Sequence, residues 1–176
     1  DGLGTAFSPS GDYIAVAHGS SPRFTLLDHT TPGSLSLAAT YTLPNDGLGT
    51  AFSPSGDYIA VAHGSSPRFT LLDHTTPGSL SLAATYTLPN DGLGTAFSPS
   101  GDYIAVAHSS SPFFTLLDHT TPGSLSLAAT YTLASFGNGT AFSPSGDYIA
   151  VAHGGSPYFT LLDHTTPGSL SLAATY

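Results

Sequence analysis

The chain has 176 residues, of which 40% are hydrophobic and only 7% charged; eleven Asp against two Arg give a net charge of -9. That length suffices for one domain-sized core. So few cations argue against nucleic acid, whose binding rests on neutralised phosphates, and against anionic membrane surfaces. The absence of Cys excludes disulfides and thiolate metal sites.

Gly4 to Phe7 is the first expected strand, closed by the turn Ser8 to Asp12, whose Pro, Gly and hydroxyls suit a tight reversal. Tyr13 to His18 is apolar at almost every position, as expected of a strand covered on both faces. Gly19 to Pro22 turns the chain into a third strand, Phe24 to His29, and Thr30 to Ser34 turns it again. The fourth strand, Leu35 to Leu43, alternates: Leu35, Leu37, Ala39, Tyr41 and Leu43 fall on one face, Ser and Thr largely on the other. Such a strand belongs at the outside of its sheet. No stretch has helical periodicity.

The same 45-residue unit then repeats. Residues 46–90 copy residues 1–45 without change, 91–135 carry four substitutions, and 136–176 carry four more. Four-strand units of this period predict an all-β fold, a β-propeller of four-stranded antiparallel blades, one per unit. Propellers have about 4 to 8 blades. Four units suggest either half a ring or a fragment of a longer array, and the expectation taken is half a ring that a second copy of the chain completes to eight blades. Asp1 already belongs to the repeat and no Met precedes it, so the chain is expected to be processed or excised from something longer.

The run from Thr5 to His29, TAFSPSGDYIAVAHGSSPRFTLLDH, resembles the WD40-like repeat. Leu27-Asp28 stands at the place of that family's Trp-Asp pair, while its glycine-histidine opening pair is absent. The fourth unit is similar to highly repetitive propellers of phage-tail and bacterial surface proteins. That resemblance implies an extracellular or virion-surface location, and two identical units also fit an engineered symmetric derivative.

Comparing the copies isolates eight positions. Unit three departs at Ser109, Phe113, Ala134 and Ser135; unit four departs at Phe136, Asn138, Gly155 and Tyr158. All lie in or beside the turn between strands two and three or the link between units, and those turns share one end of a propeller. Loops on a rigid scaffold carry recognition, and Arg and aromatic side chains are favoured anchors. The expected ligand-binding face is thus Arg23, Arg68, Phe113, Tyr158, Ser109, Gly155, Phe136 and Asn138, meeting a surface glycan or a protein.

Eight His recur at two places per unit and are expected to bond neighbouring backbone or Asp side chains. Asp28, Asp73, Asp118 and Asp163 are expected to cap turns. No metal, cofactor or catalytic residue is predicted, because no unit departs singly towards a nucleophile motif. The expected function is a non-enzymatic binding or adhesion module. The alternative is a structural, self-assembling repeat, natural or designed; a propeller hydrolase ranks third.

Overall fold

The computed structural model describes residues 1–176, and every regular element in it is a strand. Blade one is β1 (Gly2–Phe7), β2 (Tyr13–His18), β3 (Arg23–Asp28) and β4 (Ser36–Thr42). Blade two is β5 (Gly47–Phe52), β6 (Tyr58–His63), β7 (Arg68–Asp73) and β8 (Ser81–Thr87). Blade three is β9 (Gly92–Phe97), β10 (Tyr103–His108), β11 (Phe113–Asp118) and β12 (Ser126–Thr132). Blade four is β13 (Gly137–Phe142), β14 (Tyr148–His153), β15 (Phe159–Asp163) and β16 (Ser171–Thr175). Each blade is a four-stranded antiparallel sheet in sequence order, with no strand exchanged between blades.

Turn chemistry sets the hairpins. In Thr31-Pro32-Gly33-Ser34 the Ser34 N–H donates to Thr31 C=O at 3.0 Å, and Gly33 takes φ 77°. Pro at the second place and a left-handed Gly at the third make a type II turn. Asp28 Oδ1 accepts from the Thr30 N–H at 2.8 Å and from its hydroxyl at 2.6 Å, so this carboxylate caps the turn and is held below its ordinary pKa by those bonds.

The hydrophobic cores lie between blades, not within them. Ala15, Phe24, Leu26 and Leu43 on the forward side of blade one meet Phe52, Ile59, Val61 and Leu72 on the rear side of blade two. The same sets meet at the next two junctions. Ala on one side and Ile or Val on the other let the sheets interdigitate, which explains why the second strand is apolar on both faces. A single unit has no core of its own. At the wedge apex the innermost strands nearly touch: a Cβ on Gly4 would lie 2.8 Å from the Leu48 carbonyl oxygen.

The ring is open. β1 and β13 do not pack on each other. Phe7, on the rear of blade one, is 61% exposed, while its counterpart Phe52 is 9% exposed.

One expectation from the sequence does not hold. The alternation of the fourth strand breaks at a β-bulge: Leu26 pairs with Ala39 and Leu27 with Leu37, leaving Ala38 as an extra residue. A bulge shifts every side chain beyond it to the opposite face. Leu37 is therefore 66% exposed, while Leu43 on the same expected stripe is 1% exposed.

Candidate functional site

The turn after the second strand and the link between blades do share one end, and they are tied together there. Arg23 Nη1 donates to the Leu43 carbonyl at 3.3 Å, and Arg23 Nε lies 3.6 Å from Asp46 Oδ1 of the next blade. Arg68 repeats this with Leu88 at 3.1 Å and Asp91 at 3.7 Å. Beside each pair, Asn45 donates to Ser65 Oγ and Asn90 to Ser110 Oγ, both at 3.2 Å.

The departing residues fall on these junction pairs. Phe113 and Phe136 take the two places held elsewhere by Arg and Asp. Ser135 and Gly155 take those of Asn and Ser, and a Cβ on Gly155 would lie 2.8 Å from Ser135 Cβ. Phe136 folds its ring over Gly154 of its own blade. Ser109 carries a buried hydroxyl without a partner. Asn138 sits on the innermost strand, its carbonyl oxygen 2.9 Å from where a Cβ on Gly94 would be. Tyr158, at the open edge, is 65% exposed. Arg23, Arg68 and Phe113 hold φ near 73°, a left-handed conformation that side chains other than Gly and Asn adopt at a cost of about 1 kcal/mol or more. Four of the eight departures therefore repack a single junction, between blades three and four. Exposed ion pairs of this kind contribute little: Asp91→Asn is expected to shift the free energy of unfolding by less than about 0.5 kcal/mol, with the remainder lost in high salt. Urea titrations at two ionic strengths measure this.

The other end carries clefts, one per junction. The first, about 240 Å³, lies between blades one and two and is walled by Ser8, Ser10, Asp12, Tyr13, Asp57 and His74 among others. The second and third, about 270 Å³ and 260 Å³, repeat it with Asp57, Tyr58, Asp102 and His119, then Asp102, Tyr103, Asp147 and His164. These walls are hydroxyls, carboxylates, imidazole and phenol, with two prolines and a glycine among them.

The imidazoles are structural. His74 Nδ1 donates to the Gly56 carbonyl at 2.9 Å, which leaves Nε2 to accept the Gly78 N–H at 3.2 Å. Both nitrogens are used, so the ring fastens two turns together and keeps no lone pair free to act as a base. Tyr13 of the preceding blade stands edge-on to it, centroids 4.9 Å apart. No three His or Asp side chains converge as a metal would require.

What remains chemically available is the phenol and the carboxylates. Tyr58 is anchored by its backbone, whose N–H donates to Ser53 Oγ at 3.0 Å, while its hydroxyl makes no bond within the chain. Burial, then Asp73 and Asp57 nearby, push its pKa up, so it stays a hydrogen-bond donor well into the alkaline range. Tyr103 is raised in the same way by burial and by Asp118 and Asp102. Each cleft thus offers a phenolic donor, two carboxylates able to take a proton, and no cation. Comparison between copies passed these residues over because they do not vary; the available signal was that Ser, Asp, Tyr and His recur at both ends of the same turns.

No family model and no curated protein matches the chain. Among solved structures it is similar to one from Bacteroides uniformis named, provisionally, for 6-phosphogluconolactonase: 19% identity, TM-score 0.84, 98% of this chain and 53% of that one. It is also similar to the periplasmic gluconolactonase PpgL of Pseudomonas aeruginosa: 17% identity, TM-score 0.79, 98% of this chain and 56% of that one. A third is the Cps50 (Swd1) β-propeller domain of Myceliophteria thermophila: 14% identity, TM-score 0.74, all of this chain and 58% of that one. The chain spans about half the length of these structures. The expectation of a non-enzymatic module, for binding or as a purely structural repeat, is corrected by these likenesses, since two of the three bear the names of lactonases. Enzymes were set aside because no nucleophile motif stood out, yet a cyclic ester can be opened by water with only a base and a donor. The fold is a four-blade arc of an antiparallel β-propeller.

Proposed function

We propose that the chain is part of a propeller hydrolase that opens neutral sugar lactones in the clefts between its blades. The observation that carries this reading is the pairing, three times over, of a free phenolic hydroxyl with two carboxylates in a hydroxyl-lined cleft. In the second cleft Asp57 or Asp102 takes a proton from water as the water oxygen attacks the lactone carbonyl carbon. Tyr58 donates a hydrogen bond to the carbonyl oxygen as it gains charge. The ring C–O bond then breaks, the protonated carboxyl returns its proton to the departing oxygen, and the product is the open-chain hydroxy acid. The names of two similar structures support the reaction class. The carboxylates favour an uncharged substrate over a phosphorylated one, because both arginines lie at the opposite end.

An extracellular or virion-surface location accords with a surface free of Lys and Glu and with the periplasmic neighbour.

Opening of glucono-δ-lactone, followed by pH-stat against the spontaneous rate, tests the reading. The parent is expected to exceed the spontaneous rate, and Tyr13→Phe/Tyr58→Phe/Tyr103→Phe to lose about 100-fold to 1,000-fold, the scale of removing one donor to a developing oxyanion. A parent no faster than buffer, or a triple variant as fast as the parent, overturns it.

A further inference from the structure

The two ends of the blade array carry the two halves of a junction that the chain already makes three times within itself. Ahead of blade four lie Gly139, Ala150, Ala152 and Phe159, at the places where Gly4, Ala15, Ala17 and Phe24 meet blade two. Behind blade one lie Phe7, Ile14, Val16 and Leu27, the counterparts of Phe52, Ile59, Val61 and Leu72, which are buried at the first internal junction. The innermost glycines show the vacancy most sharply. A Cβ on Gly4, Gly49 or Gly94 would lie 2.8, 2.7 or 2.9 Å from the backbone of the following blade, whereas a Cβ on Gly139 would meet nothing within 4 Å.

We infer that blade one of a second copy seats on the open face of blade four, and blade four of that copy on blade one of the first, closing a two-chain ring of eight blades. The second copy is the occupant because its rear face presents the same Phe, Ile, Val and Leu set that fits this forward face at each internal junction. The arc fits as well. Four blades cover 98% or more of this chain but only 53% to 58% of the propeller-like structures they superpose on, so rings of that curvature hold about seven blades, and eight fit within the usual range with slightly narrower wedges. Each copy gives its blade four to the other's blade one, so a two-fold axis at the ring centre relates the two contacts and closes the assembly.

Closure also completes a site. Tyr103 of blade three stands against His164 with centroids 4.9 Å apart, but Tyr148 has no such imidazole and is 38% exposed. His29 has Phe7 beside it at 6.0 Å and no tyrosine. The new junction brings Tyr148 and Asp147 of one copy to His29 and Asp12 of the other, adding a cleft of the same composition at each. That this cleft opens lactones rests on the function proposed above; the ring itself does not.

Light scattering on the size-separated protein at micromolar concentration is expected to give the mass of two 17.8-kDa chains. Gly139→Val is expected to give one chain with an unchanged far-UV circular dichroism spectrum. Ala152→Glu, exposed in the single chain, provides a second such variant should the first fold poorly. Mixing Ala152→Glu with Val16→Glu restores one intact junction and is expected to recover two-chain species. A monomeric parent, growth beyond two chains, or a Gly139→Val and Ala152→Glu pair that both remain dimeric overturns the ring. A two-chain parent that does not accelerate lactone opening leaves the ring standing and removes the function.

Discussion

Gly49→Val is expected to destabilise the chain by about 3 kcal/mol, while the same substitution at Gly139 leaves the single chain's stability nearly unchanged. A Cβ at position 49 would lie 2.7 Å from the Leu93 carbonyl oxygen and 3.1 Å from Gly94 Cα. These are backbone atoms of a paired innermost strand, so nothing flexible can swing aside. The blades must part at the apex of the wedge. Parting there loosens the Ala60, Phe69, Ile104 and Val106 contacts packed behind it. Fully burying one such side chain contributes about 1.5 to 3 kcal/mol, so a small opening across several of them is expensive. At Gly139 the same Cβ enters open space, and a β-branched residue suits a strand better than Gly does. Urea midpoints of the two variants, compared at one low protein concentration, decide the matter. Equal midpoints would show that the innermost strands are not held as closely as their backbones indicate.

This contrast marks the boundary of what the sequence reveals. The turn residues Pro32 and Gly33, the two-faced apolar run Tyr13 to His18 and the fixed period were enough to read four-stranded blades and a propeller, because each acts through neighbours along the chain. The glycine at position 4 looked like any other until its Cβ direction was known. The bulge at Ala38 was illegible for a different reason: alternation tells which residues could share a face, but an unpaired residue is created only by the register against β3. That the departures at Phe113, Ser135, Phe136 and Gly155 meet at one junction was not legible either. Listing which positions differ between copies does not say that Ser135 lies against Gly155 across one junction. The clefts went unread because Asp57 and Tyr58 are the same in every unit, and sameness offers no contrast. The chemistry there comes from two successive units meeting, as when Tyr58 is set against His119.

Stability is expected to fall by about 3 kcal/mol between pH 7 and pH 4, through imidazoles that the junctions bury. His108 is fully buried; Nε2 is bonded to Thr115 Oγ1 at 3.0 Å, and Nδ1 has no partner. Burial lowers its pKa from 6.5 to about 4, opposed only weakly by the Ser110 backbone carbonyl nearby. His63 is lowered from the same cause, less freely because Nδ1 donates to the Gly64 carbonyl at 2.9 Å. A lowered histidine pKa means that the unfolded chain binds the proton first. Its contribution is therefore fully present above about pH 6.5 and is lost as pH falls towards the folded value. For His108 that interval corresponds to about 3 kcal/mol. Asp28, Asp73, Asp118 and Asp163 act in a separate range. Their carboxyls are lowered from 3.8 by bonds from the following Thr, so what they contribute is present above that value and disappears only below it. Urea unfolding at pH 7, 5.5 and 4.5 isolates the imidazoles. His108→Gln removes the titrating group and is expected to flatten the slope, leaving the smaller part due to His63. A parent equally stable at all three pH values would mean that protons reach these rings in the folded state, and hence that the junctions open far more readily than their packing implies.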